Sequence, residues 1–127
     1  VALDYTCPCC GYLTFDDFPG SYAVCAVCGW EDDGVQLRYP YLDGGANAVS
    51  LIEAQANFEA IGVHDPACLL YMQTLDKAEL ARFSRDERWR RVDPTRDRWE
   101  RLEDVLHAEN DNLAECLRLE EFHYWLR

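Results

Sequence analysis

The chain has 127 residues, 49% of them apolar, and a net charge of −12. That length and apolar share suffice for one domain with its own core, while the charge argues against a protein whose main work is gripping phosphate backbones. No apolar run approaches the roughly 18 residues of a membrane-spanning helix, and the opening Val1-Ala2-Leu3-Asp4-Tyr5 has neither the basic nor the apolar region of a signal peptide.

Cysteine usage points the same way. There are seven cysteines, so an all-disulfide framework would leave one thiol over, and five of them fall between residues 7 and 28 while Cys68 and Cys116 stand apart. A reducing, cytoplasmic setting is expected, in which paired cysteines more often bind metal than form disulfides. Val1 stands where an initiator Met would be, which leaves open a leader removed ahead of it.

From Tyr5 to Trp30, short apolar stretches are punctuated by Gly11, Pro19, Gly20 and Gly29, the pattern of tight turns and a small β-hairpin. Leu13–Phe15 and Tyr22–Val24 are the expected strands. Within this region Cys7-Pro8-Cys9-Cys10-Gly11 and Cys25-Ala26-Val27-Cys28-Gly29 are two CxxCG units separated by fourteen residues. Two residues between cysteines let a tight turn aim both sulfurs at one ion, and the following glycine frees the backbone to direct N–H groups toward the thiolates. Two such knuckles make a tetrahedral four-sulfur shell of Cys7, Cys10, Cys25 and Cys28 around one structural zinc ion. The register Cys7-x-Cys9 is the alternative for the first pair, and symmetry with Cys28-Gly29 favours Cys10. Cys9 is then a spare, partly buried thiol, and Cys68 and Cys116 are small core residues. A closed shell has no position for water or substrate, so no catalytic residue is assigned and no enzyme is expected.

Glu31 to Ala48 carries no sustained period and reads as a loop. Its Glu31, Asp32, Asp33 and Asp43, with Asp16 and Asp17, are candidates for an acidic partner-binding face; a solvated loop and a calcium loop are the competing readings, the last lacking regular oxygen ligands and a closing Glu. Residues 1 to 63 hold nine acids against Arg38 alone, whereas the remainder holds fifteen acids and eleven bases.

Ser50-Leu51-Ile52-Glu53 is a capping box, apolar residues recur at Leu51, Ala54, Phe58 and Ile61, and Gly62 supplies a left-handed stop, so a helix is expected over this span. Ala67 to Met72 is too short to assign. Leu75, Ala78, Leu80 and Phe83 predict a second helix capped by Thr74. Between Arg82 and Arg101 eight arginines interleave with Trp89 and Trp99, a superficial nucleic-acid signature. Five acids share the stretch, and the spacing of Asp86 to Arg90, Glu87 to Arg91 and Asp97 to Arg101 predicts a salt-bridged helix face, or docking onto the acidic N-terminal half. After Pro94, Trp99, Leu102, Val105, Leu106, Leu113, Leu117 and Trp125 keep helical spacing, with Asn110-Asp111-Asn112 as a possible break. His64, His107 and His123 sit beside no nucleophile motif, so surface or core histidines are expected, with a Cys/His dyad on Cys68 or Cys116 left open.

CPCCGY, Phe15-Asp16, Pro19-Gly20-Ser21-Tyr22, CxxCGWEDDG and Gly44-Gly45-Ala46-Asn47 ahead of a Ser50-Leu51 helix together resemble the bacterial cysteine-rich CPCC family, over about Tyr5 to Gly62. Ala26 stands where that pattern has proline. The resemblance implies a zinc-ribbon-like fold and little about function. The knuckles also look like those of rubredoxin, which holds iron and carries electrons. The fold class expected is α+β: a zinc ribbon over 1–48 packed on a mainly helical region over 49–127, the two forming one compact domain. The function expected is a cytoplasmic zinc-binding interaction protein, such as an immunity protein that neutralises a basic toxin, for example a nuclease. The alternatives are a nucleic-acid-binding ribbon and a rubredoxin-like carrier.

Overall fold

The computed structural model describes residues 3–97 and 123–126, with a short hairpin, several short helices and the cysteine cluster making a mixed α+β fold. The expected helices between Trp99 and Leu117, and with them Cys116, His107 and the Asp97–Arg101 pair, lie outside the described residues.

Strand β1 (Tyr5–Thr6) pairs antiparallel with β2 (Leu13–Phe15) across the first knuckle. Tyr5 faces Phe15 and Thr6 faces Leu13, so Thr14 is an extra residue on β2, a bulge of the kind that re-aims a side chain. Leu13–Phe15 is thus the strand expected, but its partner is not Tyr22–Val24. That segment pairs instead with the residues after the second knuckle: Val24 bridges Glu31, Tyr22 N donates to Asp32 O and Asp32 N donates to Ala23 O. Each knuckle folds back on its own flanks because a CxxCG turn reverses the chain within five residues, leaving the fourteen-residue spacer free to run between them.

The stretch read as a loop contains helix α1 (Gly34–Arg38). Asp33 caps it, its Oδ1 accepting from the N–H groups of Val35 and Gln36, while Oδ2 accepts from Ala46. Gln36 then ties down the rest of the segment: its amide donates to the carbonyls of Leu42, Asn47 and Val49, and its Oε1 accepts from Asn47. Five residues are too few to show a helical period, so only the cap was there to be read.

Helix α2 (Leu51–Ile61) starts where Ser50 Oγ accepts from Glu53 N and stops at Gly62, whose φ of 80° is the left-handed stop. Leu51 and Ala54 are buried in the core, as is Gln55. A 3-10 turn at Pro66–Cys68 leads into α3 (Leu69–Gln73), followed by α4 (Lys77–Leu80). The second helix expected is therefore shorter, and its cap is Asp76 rather than Thr74, which closes α3.

Residues 84–92 are not a salt-bridged helix. They form an irregular strap laid across the first knuckle: Leu13 N donates to Ser84 O, Tyr12 bridges Arg85, and Asp86 N donates to Gly11 O. Asp86 pairs with Arg88, Arg90 grips Asp97 through two bonds of 2.6 and 2.7 Å, and Arg91 pairs with Glu59 of α2. The i, i+4 spacing that imitated a helix face serves partners elsewhere in the chain. Of the C-terminal pattern, Tyr124–Leu126 is a 3-10 turn whose Tyr124 and Trp125 join the core.

Candidate metal centre

The core is built on the cysteines themselves. Cys7, Cys9, Cys10, Cys25 and Cys28 cluster with Phe15, Trp30, Leu37, Leu51, Ala54, Tyr124 and Trp125. Both knuckles use one backbone device. Gly11 N donates to Cys7 O while Cys7 N donates to Tyr12 O, and Gly29 N donates to Cys25 O while Cys25 N donates to Trp30 O. The glycines lie at φ 80° and 84°, a region in which a side chain is strained, so CxxCG rather than CxxC is what the turn requires.

The sulfurs of Cys7, Cys10, Cys25 and Cys28 all lie within 4.8 Å of one another and are buried. Cys7 and Cys28 are 3.6 Å apart, and Cys10 and Cys25 are 3.7 Å apart. A disulfide needs about 2.05 Å, whereas a tetrahedral ion with metal–sulfur bonds of about 2.3 Å sets neighbouring sulfurs about 3.8 Å apart. The donor set fits a metal ion with four thiolate ligands.

Burial without an ion works against the thiolate form. Burial pushes the thiols of Cys7, Cys10 and Cys28 up. Burial acts on Cys25 in the same sense, but hydrogen bonds from the other three thiols and from Thr14 outweigh it and bring Cys25 down. Thr14 Oγ1, on the β2 bulge, lies 3.2 Å from Cys25 Sγ. Four buried thiolates without a cation would be expensive, and a divalent ion supplies the compensating charge.

Cys9 is fully buried, outside the four-sulfur set, with its thiol a hydrogen-bond neighbour of Cys28. Cys68 is half-exposed in the Pro66–Cys68 turn, distant from the core role expected of it. His64 is buried against the second knuckle: its backbone N and ring Nδ1 both meet Cys28 O at 3.0 Å, and its ring meets Trp30 edge-on. His123 is buried too, stacked on Trp125.

The first knuckle is held by residues that no motif announced. Pro8 O accepts from Gln55 Nε2 at 2.9 Å and from Trp89 Nε1 at 3.1 Å. Gln55 also donates to Tyr124 OH and accepts from Val92 N, so one buried amide joins knuckle, strap and C-terminal turn. Below them Thr6 Oγ1 donates to Asp86 at 2.7 Å. Burial pushes the Asp86 carboxyl up, but the bonds from Thr6 and Arg88 outweigh it and hold it below the usual carboxylate range. Only the polar character of Gln55 on the apolar face of α2 hinted at this arrangement.

The proposed acidic face is split. Asp16, Asp17 and Asp43 are exposed and Glu31 is half-buried. Asp32 and Asp33 are buried. Asp33 is the α1 cap, and Asp32 accepts from Ser21 N and Oγ, burial pushing its carboxyl up despite those bonds. Both brace the fold rather than face solvent. Among the described residues no helix is long and apolar enough to cross a membrane.

No curated protein matches the chain. A protein-family model does, that of the Cysteine-rich CPCC family, over residues 5–79, which takes in both knuckles, α1, α2 and α3. A match across more than half of the sequence, with both knuckles formed as its spacing requires, makes this chain a member of the cysteine-rich CPCC family.

Proposed function

We propose that the chain is a zinc-binding, non-enzymatic interaction protein of the cytoplasm, whose zinc holds the fold and whose partner is a basic protein, such as a toxin that it neutralises. The observation that carries the first half is the four-sulfur set: Cys7, Cys10, Cys25 and Cys28 offer one sulfur for each position of a tetrahedral ion, and a shell so filled would not activate water. Zinc suits four thiolates and tetrahedral geometry, as iron also does. Supporting the second half are the net charge of −12 and the exposed Asp16, Asp17 and Asp43. Complementary charge speeds encounter with a cationic partner and discourages nucleic acid.

Metal analysis of the purified chain is expected to return one equivalent of zinc in a colourless protein; a red protein with bound iron would replace this reading with electron transfer. The partner is tested by co-expressing the chain with the products of neighbouring genes. A cationic protein that the chain inhibits at equal stoichiometry, associating more slowly as salt rises, is the expected result. Binding of RNA or DNA with a steep salt slope, and of no protein, would overturn it.

A further inference from the structure

A cavity of about 270 Å³ opens between α2 and the strap, beside the first knuckle. Phe58 and Glu59 of α2 form one wall, Arg85, Trp89 and Arg91 of the strap form the other, and Cys9 closes the floor. The volume is just under the range of about 300–1,000 Å³ that holds drug-sized ligands, so its occupant is small.

Arg85 distinguishes this cavity. Arg82, Arg88, Arg90 and Arg91 each hold a carboxylate, from Glu79, Asp86, Asp97 and Glu59 respectively. Among the described residues Arg85 holds none. It is positioned instead by two rings, its Cζ lying 5.5 Å from the Tyr12 centroid and 5.3 Å from the Trp89 centroid, while its backbone bridges Tyr12. Aromatic contacts orient a guanidinium without using up its N–H donors, so the fork is preorganised for an anion. Of the two described cations that line this cavity, Arg91 is paired with Glu59 and Arg85 with no described carboxylate.

We propose that this cavity binds a small aromatic monocarboxylate, its carboxylate on the Arg85 fork and its ring against Trp89 and Phe58. The second cation, Arg91, is already neutralised by Glu59. That pair leaves Arg85 as the one uncompensated charge among the described lining residues, which matches one negative charge rather than two. The site therefore selects one negative charge on a flat apolar body. This inference stands apart from the protein partner proposed above and does not depend on it.

The test is titration of the full, metal-loaded chain with benzoate, followed by NMR at the Trp89 indole N–H. Saturable shifts are expected, with phenyl phosphate and inorganic phosphate each binding more weakly than benzoate and benzyl alcohol leaving the signal unmoved. Arg85→Gln is expected to weaken benzoate about tenfold or more, whereas Arg82→Gln, which changes the net charge equally, leaves it unchanged. Arg85→Lys keeps the charge without the planar fork and is expected to fall between them; it decides the matter if Arg85→Gln does not fold. Glu59→Gln, which frees Arg91, is expected to raise affinity for phenyl phosphate. Shifts that never saturate, equal binding by Arg85→Gln and the parent, or inorganic phosphate matching benzoate would overturn the proposal.

Discussion

The Trp89 indole lies so close over Gly11 that a Cβ on residue 11 would stand 2.6 Å from two of its ring carbons. Gly11 is therefore required twice, by its φ of 80° and by its neighbour. Gly11→Ala is expected to destabilise the metal-loaded protein by about 2–4 kcal/mol, combining left-handed strain with overpacking. Gly62 has the same φ with nothing within 4 Å of a Cβ, so Gly62→Ala should cost only about 1 kcal/mol. In denaturant melts the double variant Gly11→Ala/Trp89→Ala should be less destabilised than the sum of the singles, because removing the ring relieves the clash. Strict additivity would mean that the ring does not press on this turn.

The cysteines separate by substitution. Cys7→Ser, Cys10→Ser, Cys25→Ser and Cys28→Ser should each lose stoichiometric metal and unfold, since the unfolded chain has no preformed site and the metal-binding free energy, about 10 kcal/mol or more, is therefore folding free energy. Cys9→Ser should retain one equivalent. A Cys9→Ser variant without metal, beside a Cys10→Ser variant that keeps it, would move the first ligand pair to Cys7 and Cys9.

Gln55 offers a test of how knuckle, strap and C-terminal turn are joined. Gln55→Leu has similar bulk but removes the acceptor of Val92 N and the Gln55 bond to Tyr124 OH. The expected loss is about 2–4 kcal/mol, with faster hydrogen exchange at the Val92 amide and normal protection at Leu37, whose N–H donates to Asp33 O within α1. Uniform loss of protection would show that the strap has no separate stability.

Burial takes the His123 imidazole down to about 4, with Asp86 opposing and Arg88 adding to the effect. A histidine so depressed is neutral in the folded chain and protonates readily in the unfolded one. Its contribution is thus complete above about pH 6.5 and is lost as pH falls from there to about 4, where both states carry the proton. The difference amounts to roughly 3 kcal/mol. Metal release also weakens the fold in acid, so the readout is comparative: denaturant midpoints at pH 7 and pH 5 should differ less in His123→Phe than in the parent. An equal difference would locate all the acid sensitivity in the thiolates.

Local chemistry made some of this legible in the sequence. The CxxCG units were readable because ligand spacing and the left-handed glycine are fixed within five residues, and the start and stop of α2 because Ser50 and Gly62 act on their own helix. What misled was long-range. Asp32 and Asp33 read as surface charge, yet each finds backbone donors at distances in sequence that no local pattern encodes, Ala46 for Asp33 and Ser21 for Asp32. The arginines of the strap carry helical spacing by coincidence, and their carboxylates lie on α2, in the strap itself or at Asp97. Gln55, Trp89 and His64, which brace the two knuckles, belong to no motif because their partners are backbone carbonyls, which every residue has.

The Thr6–Asp86 and Pro8–Trp89 bonds join residues 80 and 81 positions apart. A ribosome delivers the chain from its N-terminus, so both knuckles leave the exit tunnel long before the residues that cover the first one. An ion bound at that stage would sit in a cage still open to exchange with other thiols and chelators, the covering strap following tens of residues later. Slow metal exchange is expected only once the strap has closed over the first knuckle.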